Sequence, residues 1–237
     1  MYLIIDTSTR YGAVGLWREG ALVRTMAWHS QHSHTAELMP AIEALLSQEG
    51  DSAADLRGIT VAIGPGGFSA LRAGMSVAKG LAFALLVPLV GVSSLEASAY
   101  PYREVGYPVC ALLEAGRDQV AWARFQQTSA GWLRRTADRV TPAQELLRAT
   151  GRHTLFCGEG VPAYEQRLTQ AMDRRAHRVT QPFPLDRLQG AAALGTARLE
   201  AGESDQVGAL HPHYLRPPTI TPPRPPTPVR YGAAARE

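Results

Sequence analysis

Side chains able to do chemistry gather at two strand ends. An apolar run at residues 2–5 stops at Asp6-Thr7-Ser8-Thr9-Arg10-Tyr11-Gly12, a carboxylate followed by hydroxyls at a turn. Such a hairpin either presents Asp6, Thr7 and Ser8 to a phosphate or a metal-bound water, or spends them on its own backbone. A second run, Ile59, Val61 and Ile63, ends at Gly64-Pro65-Gly66-Gly67, after which Leu71, Met75, Ala78 and Ala82 recur at helical spacing. This is strand, glycine loop, helix. Glycines there let the backbone approach a docked group, and the first helical turn has free N–H groups, so Gly64 and Gly66 are candidates for an anion cradle. A tight turn serving packing alone uses the same residues. Neither G-x-x-x-x-G-K-[ST] nor G-x-G-x-x-G is spelled.

Other reactive residue types read more plainly. His29, His32 and His34 cluster without zinc spacing, and they lie where a helix begins, with Ser33 or Thr35 as N-cap and Glu37 in the first turn. Cys110 and Cys157 sit in apolar runs without C-x-x-C spacing, which predicts buried thiols. No H-E-x-x-H or other complete ligand set occurs.

Elements must position these groups. Strands are expected at 2–5, 13–17 and 21–28, a helix from 35 to about 48 closed by Gly50-Asp51, the central strand-loop-helix over 59–84, a strand at 88–92 and a short helix at 95–99. The solvent face of the first helix takes Glu43 and Glu49. Pro101 and Pro108 bracket a polar connector, the expected domain boundary. Strands at 109–113, 119–125 and 132–140, a helix at 142–149, a strand at 154–157 ending in Gly158-Glu159-Gly160, and a helix at 162–172 repeat the βββαβα order of the first half. A further amphipathic helix at 186–201 is free to pack back on the first lobe. Lobes of 1–100 and 101–216 follow, with a Pro-rich tail at 217–237 that reads as polyproline II.

Composition fits a globular protein of 237 residues, 45% hydrophobic and 19% charged. No run is long enough to span a bilayer and no signal peptide is legible, so a cytoplasmic protein is expected. Residues 1–100 carry six Lys+Arg against eight Asp+Glu, a net −2, and residues 101–237 eighteen against thirteen, a net +5, so the chain's +3 is unevenly spread toward the second half. Scattered arginines at this density usually form a solvated face rather than a dedicated nucleic-acid patch. The helix after the glycine loop is thin, with Gly74, Ser76, Ala78, Gly80, Ala82 and Ala84, and carries a ridge of Arg72, Met75, Lys79 and Phe83. It suits an interface as well as a core.

The opening LIIDTST, the segment GPGGFSALRAGMSVAKGLA, the following GVSSLEASA, the EAGRDQVAWARF strand pair and the terminal HPHYLR together resemble the TsaB family of bacterial tRNA threonylcarbamoyladenosine biosynthesis proteins, once labelled glycoprotease-like. The usual spelling GPGSFTGLR is altered at Gly67, Ser69 and Ala70, and the usual aspartate of a DAR strand end is Glu114. The resemblance implies a two-lobed α/β fold of the actin, sugar-kinase and Hsp70 type, ribonuclease H-like in each lobe. It also implies a catalytic paralogue, TsaD, which carries the metal and transfers the threonylcarbamoyl group to the adenosine beside the tRNA anticodon, and an ATPase, TsaE. Where TsaD reads like VNHLEAH, this chain has Ser94 and Ser98, and hydroxyls are poor substitutes for imidazoles at a transition metal. The expectation is a non-catalytic subunit that holds no metal or cofactor alone, leaves ATP and metal to its partners, and meets tRNA only through the complex.

The resemblance further implies that the first and second helices, 35–46 and 71–84, pack against the equivalent pair of TsaD. Leu38, Met39, Ile42 and Leu45 and the ridge Arg72, Met75, Lys79 and Phe83 are the interface candidates, and the same face suits a homodimer when TsaD is absent. A stand-alone ATP-dependent small-molecule kinase is the alternative, with Asp6, Thr7 and Ser8 as its phosphate loop and Glu114, at the matching strand end of the second lobe, as base. A metallopeptidase rests on the old family label alone.

Overall fold

The computed structural model describes residues 1–30, 34–150, 153–172, 176–179 and 184–215. Alternating apolar residues build two sheets of the same plan. In the first, β1 (Tyr2–Asp6), β2 (Tyr11–Arg18) and β3 (Ala21–His29) form an antiparallel meander, and β1 pairs in parallel with β4 (Ile59–Gly64), which pairs with β5 (Leu89–Ser93). The strand order is β3-β2-β1-β4-β5. The intervening helices are α1 (His34–Glu49) and α2 (Phe68–Leu85), and α3 (Ser94–Ala99) follows β5.

The second sheet starts with β6 (Val109–Glu114) and β7 (Gln119–Thr128). The strand expected at 132–140 is broken into β8 (Gly131–Arg134) and β9 (Arg139–Pro142), both paired to β7. The interruption has a cause: opposite it, Arg135 N–H donates to the Arg124 carbonyl and Arg124 N–H to Thr136 Oγ1, so a side chain replaces part of the ladder. Then come α4 (Ala143–Ala149), β10 (Thr154–Cys157), α5 (Val161–Met172), β11 (Ala176–Arg178) and α6 (Pro184–Glu200). With order β11-β10-β6-β7-β8 the second sheet reproduces the first. The repeat therefore extends to βββαβαβα, with α3 and α6 as equivalent helices.

Period-two alternation sends each strand's side chains to two cores. Leu3, Ile5, Val14, Leu16, Ile59 and Val61 face α1 and α2, whereas Ile4, Ala13, Val90 and Val92 face α6. Cys110, Leu112, Val120 and Trp122 face α4 and α5, whereas Val109, Ala111, Leu113 and Phe125 face α3. α3 and α6 thus fill the space between the sheets, each against the other repeat's sheet. Leu95 and Ala99 of α3, on the first-lobe side of the sequence boundary at 100, belong to the second core. At the crossing of α3 and α6 a Cβ on Gly190 would stand 2.0 Å from the Ala97 carbonyl oxygen, so only glycine permits that approach.

Some local expectations are corrected. Thr35 lies inside α1, which starts at His34, so it is not the N-cap; Ser33 and His32 lie outside the described residues. Glu49 is ion-paired to Arg24 at 2.5 Å rather than free in solvent. The Pro101–Pro108 stretch is not a polar linker: it holds a 3₁₀ segment, Tyr100–Val105, with Tyr102, Val105 and Tyr107 packed on the second core. Arg216 and the tail at 217–237 lie outside the described residues.

Residues 205–215 run back across both lobes. Asp205 N–H donates to the Leu89 carbonyl, Gly91 N–H donates to Asp205 Oδ2 at 2.8 Å, and Arg198 Nη2 donates to Asp205 Oδ1 at 2.9 Å. His213 N–H donates to the Ile63 carbonyl, His213 Nε2 stands 3.2 Å from Asp138 Oδ2, and Tyr214 packs on Phe68 with ring centres 4.8 Å apart. Burial alone would raise the Asp205 pKa, but the Gly91 N–H and Arg198 more than offset it and hold the carboxyl below its ordinary value. A depressed carboxylate contributes stability that is present above its unfolded pKa and lost as pH falls through the folded one. Asp205→Asn should therefore lower Tm at pH 7, and its gap from wild type should close as pH falls from about 4 toward that depressed value; a gap constant between pH 7 and pH 3 would contradict this anchoring.

Candidate functional site

The two lobes meet at the carboxyl end of β1. Asp6 is fully buried there and its carboxylate is divided. Oδ1 accepts from Ser8 N–H at 2.9 Å and Ser8 Oγ at 2.7 Å, which makes the turn an Asx turn, and Oδ2 accepts from Arg187 Nε. Arg187, on the first turn of α6, also donates Nη1 to Glu159 Oε1 and Nη2 to Thr9 Oγ1 at 3.2 Å. Glu159 lies between Gly158 and Gly160, in the loop after β10 that corresponds to the Gly64-Pro65-Gly66-Gly67 loop after β4. The guanidinium is 3% exposed, so this is a buried carboxylate–guanidinium–carboxylate triad joining both lobes to α6. Burial opposes the charge on Arg187, but Asp6 and Glu159 outweigh it and push its pKa further up.

The remaining loop donors are also spent. Thr7 Oγ1 donates to the Ala70 carbonyl at 2.7 Å, and Gly67 N–H donates to the Ser8 carbonyl at 2.8 Å. A Cβ on Gly66 would lie 2.0 Å from that same Ser8 oxygen, so Gly66 is glycine because the two loops are zipped together. Gly64 has φ of 114° and faces the His213 carbonyl, the second position where backbone conformation and space both call for glycine. Among the sequence candidates, then, Asp6, Thr7, Ser8, Gly64 and Gly66 do converge, but on one another. Glu114, at the end of β6, is exposed and in no ion pair among the described residues. The carboxylate facing Asp6 across the triad is Glu159, which the sequence reading passed over, as it did Arg187. The available signals were the repeat, which equates the loops after β4 and β10, and an arginine adjoining the Leu188, Ala191 and Ala192 face of α6.

The helix-face candidates divide. Leu38, Ile42, Leu45 and Met75 are 0–4% exposed and lie in the core between α1, α2 and the first sheet, so they are corrected from interface to core: their i, i+4, i+7 stripe is already used. Met39 and Lys79 are half-buried, whereas Arg72 is exposed and Phe83 is 77% exposed. The outward face of α2 thus comprises Arg72, Ser76, Gly80 and Phe83, with Leu86 beyond its end at 89% exposed.

The serines after Val92 are enclosed. Ser98 Oγ donates to the Ser94 carbonyl at 2.8 Å, and Ser94 Oγ is fully buried with no hydrogen-bond partner among the described residues. His34 Nε2 lies 2.8 Å from the Thr9 carbonyl, and His29 packs edge-on against Tyr11. No three His, Cys, Asp or Glu residues are placed to hold a metal among the described residues.

With this geometry in hand, comparison with known proteins is decisive about ancestry. The family model described as TsaD, tRNA N6-adenosine threonylcarbamoyltransferase, matches residues 28–171. The chain belongs to that family. Within it, the chain is 29% identical over 222 residues to the tRNA threonylcarbamoyladenosine biosynthesis protein TsaB of Bacillus subtilis, which covers 90% of this chain and 93% of the relative. The solved YeaZ of Pseudomonas aeruginosa is 27% identical with a TM-score of 0.74, covering 90% and 99% of the two chains. An activator of 2-hydroxyisocaproyl-CoA dehydratase from Clostridium difficile, at 9% identity and a TM-score of 0.57 over 84% of this chain, shares the fold alone. The duplicated actin-like α/β architecture is thereby shown, as is the resemblance to TsaB.

Two outcomes follow from the site. Arg187→Ala leaves Asp6 charged and unpaired in the interior and should cost about 3–5 kcal/mol in denaturant unfolding, with the double variant Asp6→Asn, Arg187→Met regaining a substantial part. Both thiols are pushed up by burial, so Cys110 and Cys157 should resist iodoacetamide in the folded protein and react only after unfolding.

Proposed function

We propose that this chain acts in tRNA threonylcarbamoyladenosine biosynthesis as a non-catalytic, cytoplasmic subunit that supports a catalytic paralogue of the TsaD type. The observation that carries the non-catalytic part is the Arg187 triad. A transferred phosphate or an acyl adenylate at the end of β1 needs free N–H and O–H donors and a nearby cation or metal. Here Asp6 and Glu159 are held by Arg187, Ser8 is spent on Asp6, Thr7 on Ala70, and the Gly67 N–H on Ser8. Opening that loop to a nucleotide would break these bonds together.

The metal of the paralogue fits no better. Ser98 already donates to the backbone, and Ser94 is sealed in the interior. The residues present do not suit a transition metal. The kinase alternative loses support for its proposed base as well, since Glu114 is exposed and takes no part in the triad.

Work is left to the surface. Phe83 and Leu86 are large apolar groups in solvent at the end of a helix whose outward face otherwise carries Arg72 and the small residues Ser76, Gly80 and Ala84. This face is the proposed contact for the transferase paralogue and, in its absence, for a second copy of the chain, with a TsaE-type ATPase as a further partner of the complex. No described helix is long and apolar enough to cross a membrane.

Reconstitution tests the reading. The purified chain alone should neither take up Mg-ATP in calorimetry nor modify tRNA, yet should restore threonylcarbamoyl transfer to its cognate TsaD. Phe83→Glu should keep the wild-type melting temperature and weaken complex formation at least about tenfold, since a buried charge replaces an apolar anchor, whereas Met75→Glu should unfold the chain. Turnover by the lone chain, or full complex formation by a folded Phe83→Glu protein, would overturn it.

A further inference from the structure

Of the sixteen described arginines, half are neutralised. Arg18, Arg24, Arg103, Arg134, Arg167, Arg178, Arg187 and Arg198 each meet a carboxylate. Four that do not, among the described residues, stand together on the second sheet. Trp122, Arg124 and Gln126 alternate along β7 and so point to one face. Arg139 of β9, paired in register with Trp122, lies over its ring at 5.5 Å, and Arg135 donates Nε to Gln126 Oε1 at 3.1 Å. Between them Arg124 extends Nη1 to the Ala149 carbonyl at the end of α4, next to Arg148. Arg135, Arg139 and Arg148 are exposed. The other described arginines without a carboxylate, Arg10, Arg57, Arg72 and Arg117, sit on separate elements.

We infer that the row Arg139–Arg124–Arg135, with Arg148 beside it, is a contact for the phosphate backbone of RNA. Alternate residues on a strand repeat every ~7 Å, a step that suits successive phosphates along one nucleic-acid strand. The exposed guanidiniums of Arg135, Arg139 and Arg148 present planar forks matched to phosphate oxygens, whereas Arg124 is half-buried, with its Nε enclosed and its Nη1 on the Ala149 carbonyl. Three of the four are oriented before any ligand arrives, Arg139 by the Trp122 ring, Arg135 by the Gln126 amide and Arg124 by the Ala149 carbonyl, so less side-chain freedom is lost on binding. Nothing in the row reads a base edge, so it positions RNA rather than selecting sequence. The row lies on the second lobe, apart from the α2 face. A complex docked through α2 therefore keeps it open, and the chain adds its own RNA contact to the transferase's.

The identity of that RNA as tRNA rests on the function proposed above; the phosphate chemistry does not. The full-length chain is titrated against fluorescently labelled, unmodified tRNA transcript across a range of salt concentrations. Arg135→Glu, Arg139→Glu is compared with Arg57→Glu, Arg117→Glu, which makes the same charge change on other surfaces. The row variant should bind at least about tenfold more weakly and lose about 2 from the slope of log Kd against log salt, with the control within about twofold and both melting as wild type. Unchanged tRNA affinity in the row variant, which would leave the face to an acidic protein, overturns the inference. So does an equal loss in the control, or no binding by wild type at low salt. Co-purification with the transferase is measured on the same proteins: if wild type fails to bind it, the subunit reading falls while the RNA contact is judged by the titration.

Discussion

Enclosing one arginine between two carboxylates at the meeting point of the lobes constrains everything around it. Desolvating Asp6 is costly, and it is tolerable because Arg187 and the two groups of Ser8 satisfy its oxygens. Arg187 must come from α6, so α6 must lie under the first sheet with its N-terminus at the end of β1. Glu159 must come from the second lobe, so the loop after β10 is drawn to the same point. A single guanidinium thereby ties the first lobe to the loop after β10 through α6.

The internal duplication explains why the site has this composition. The loops after β4 and β10 are equivalent, and so are α3 and α6. One copy contributes glycines that close against Ser8, and the other contributes Glu159 between Gly158 and Gly160. One helix opens with two serines, and the other brings the arginine.

Much of this was legible in the sequence where one physical rule acted alone. Strand alternation placed β1, β2, β4 and β7, glycine and proline marked the loop after β4, and the family spelling identified the fold. The failures lie where two demands compete. Met75 fits a helical ridge and also the core stripe with Leu71, Ala78 and Ala82, and spacing cannot say which face meets the sheet. The strand at 132–140 reads as continuous because a ladder interrupted by Thr136 Oγ1 leaves no mark in hydropathy. β11 has three residues, too few to show a period. Arg187 looked like one more solvated charge on an amphipathic helix, since burial of an arginine is decided by partners 28 and 181 residues away. The paired and unpaired arginines likewise separate only in three dimensions.

The crossing of α3 and α6 has a consequence for how the gene can be cut. Each helix leaves its own repeat and completes the core of the other, Leu95 and Ala99 in one direction, Leu188, Ala191 and Ala192 in the reverse. Neither half is therefore an autonomous unit: severing the chain near residue 107 would strip each sheet of the layer that covers its inner face. The stretch 28–171 matched by the family model is no exception, because it omits the central strand β1 and the whole of α6. Separately expressed halves should be insoluble alone and recover native structure only when produced together, so fragment complementation is inherent in this topology.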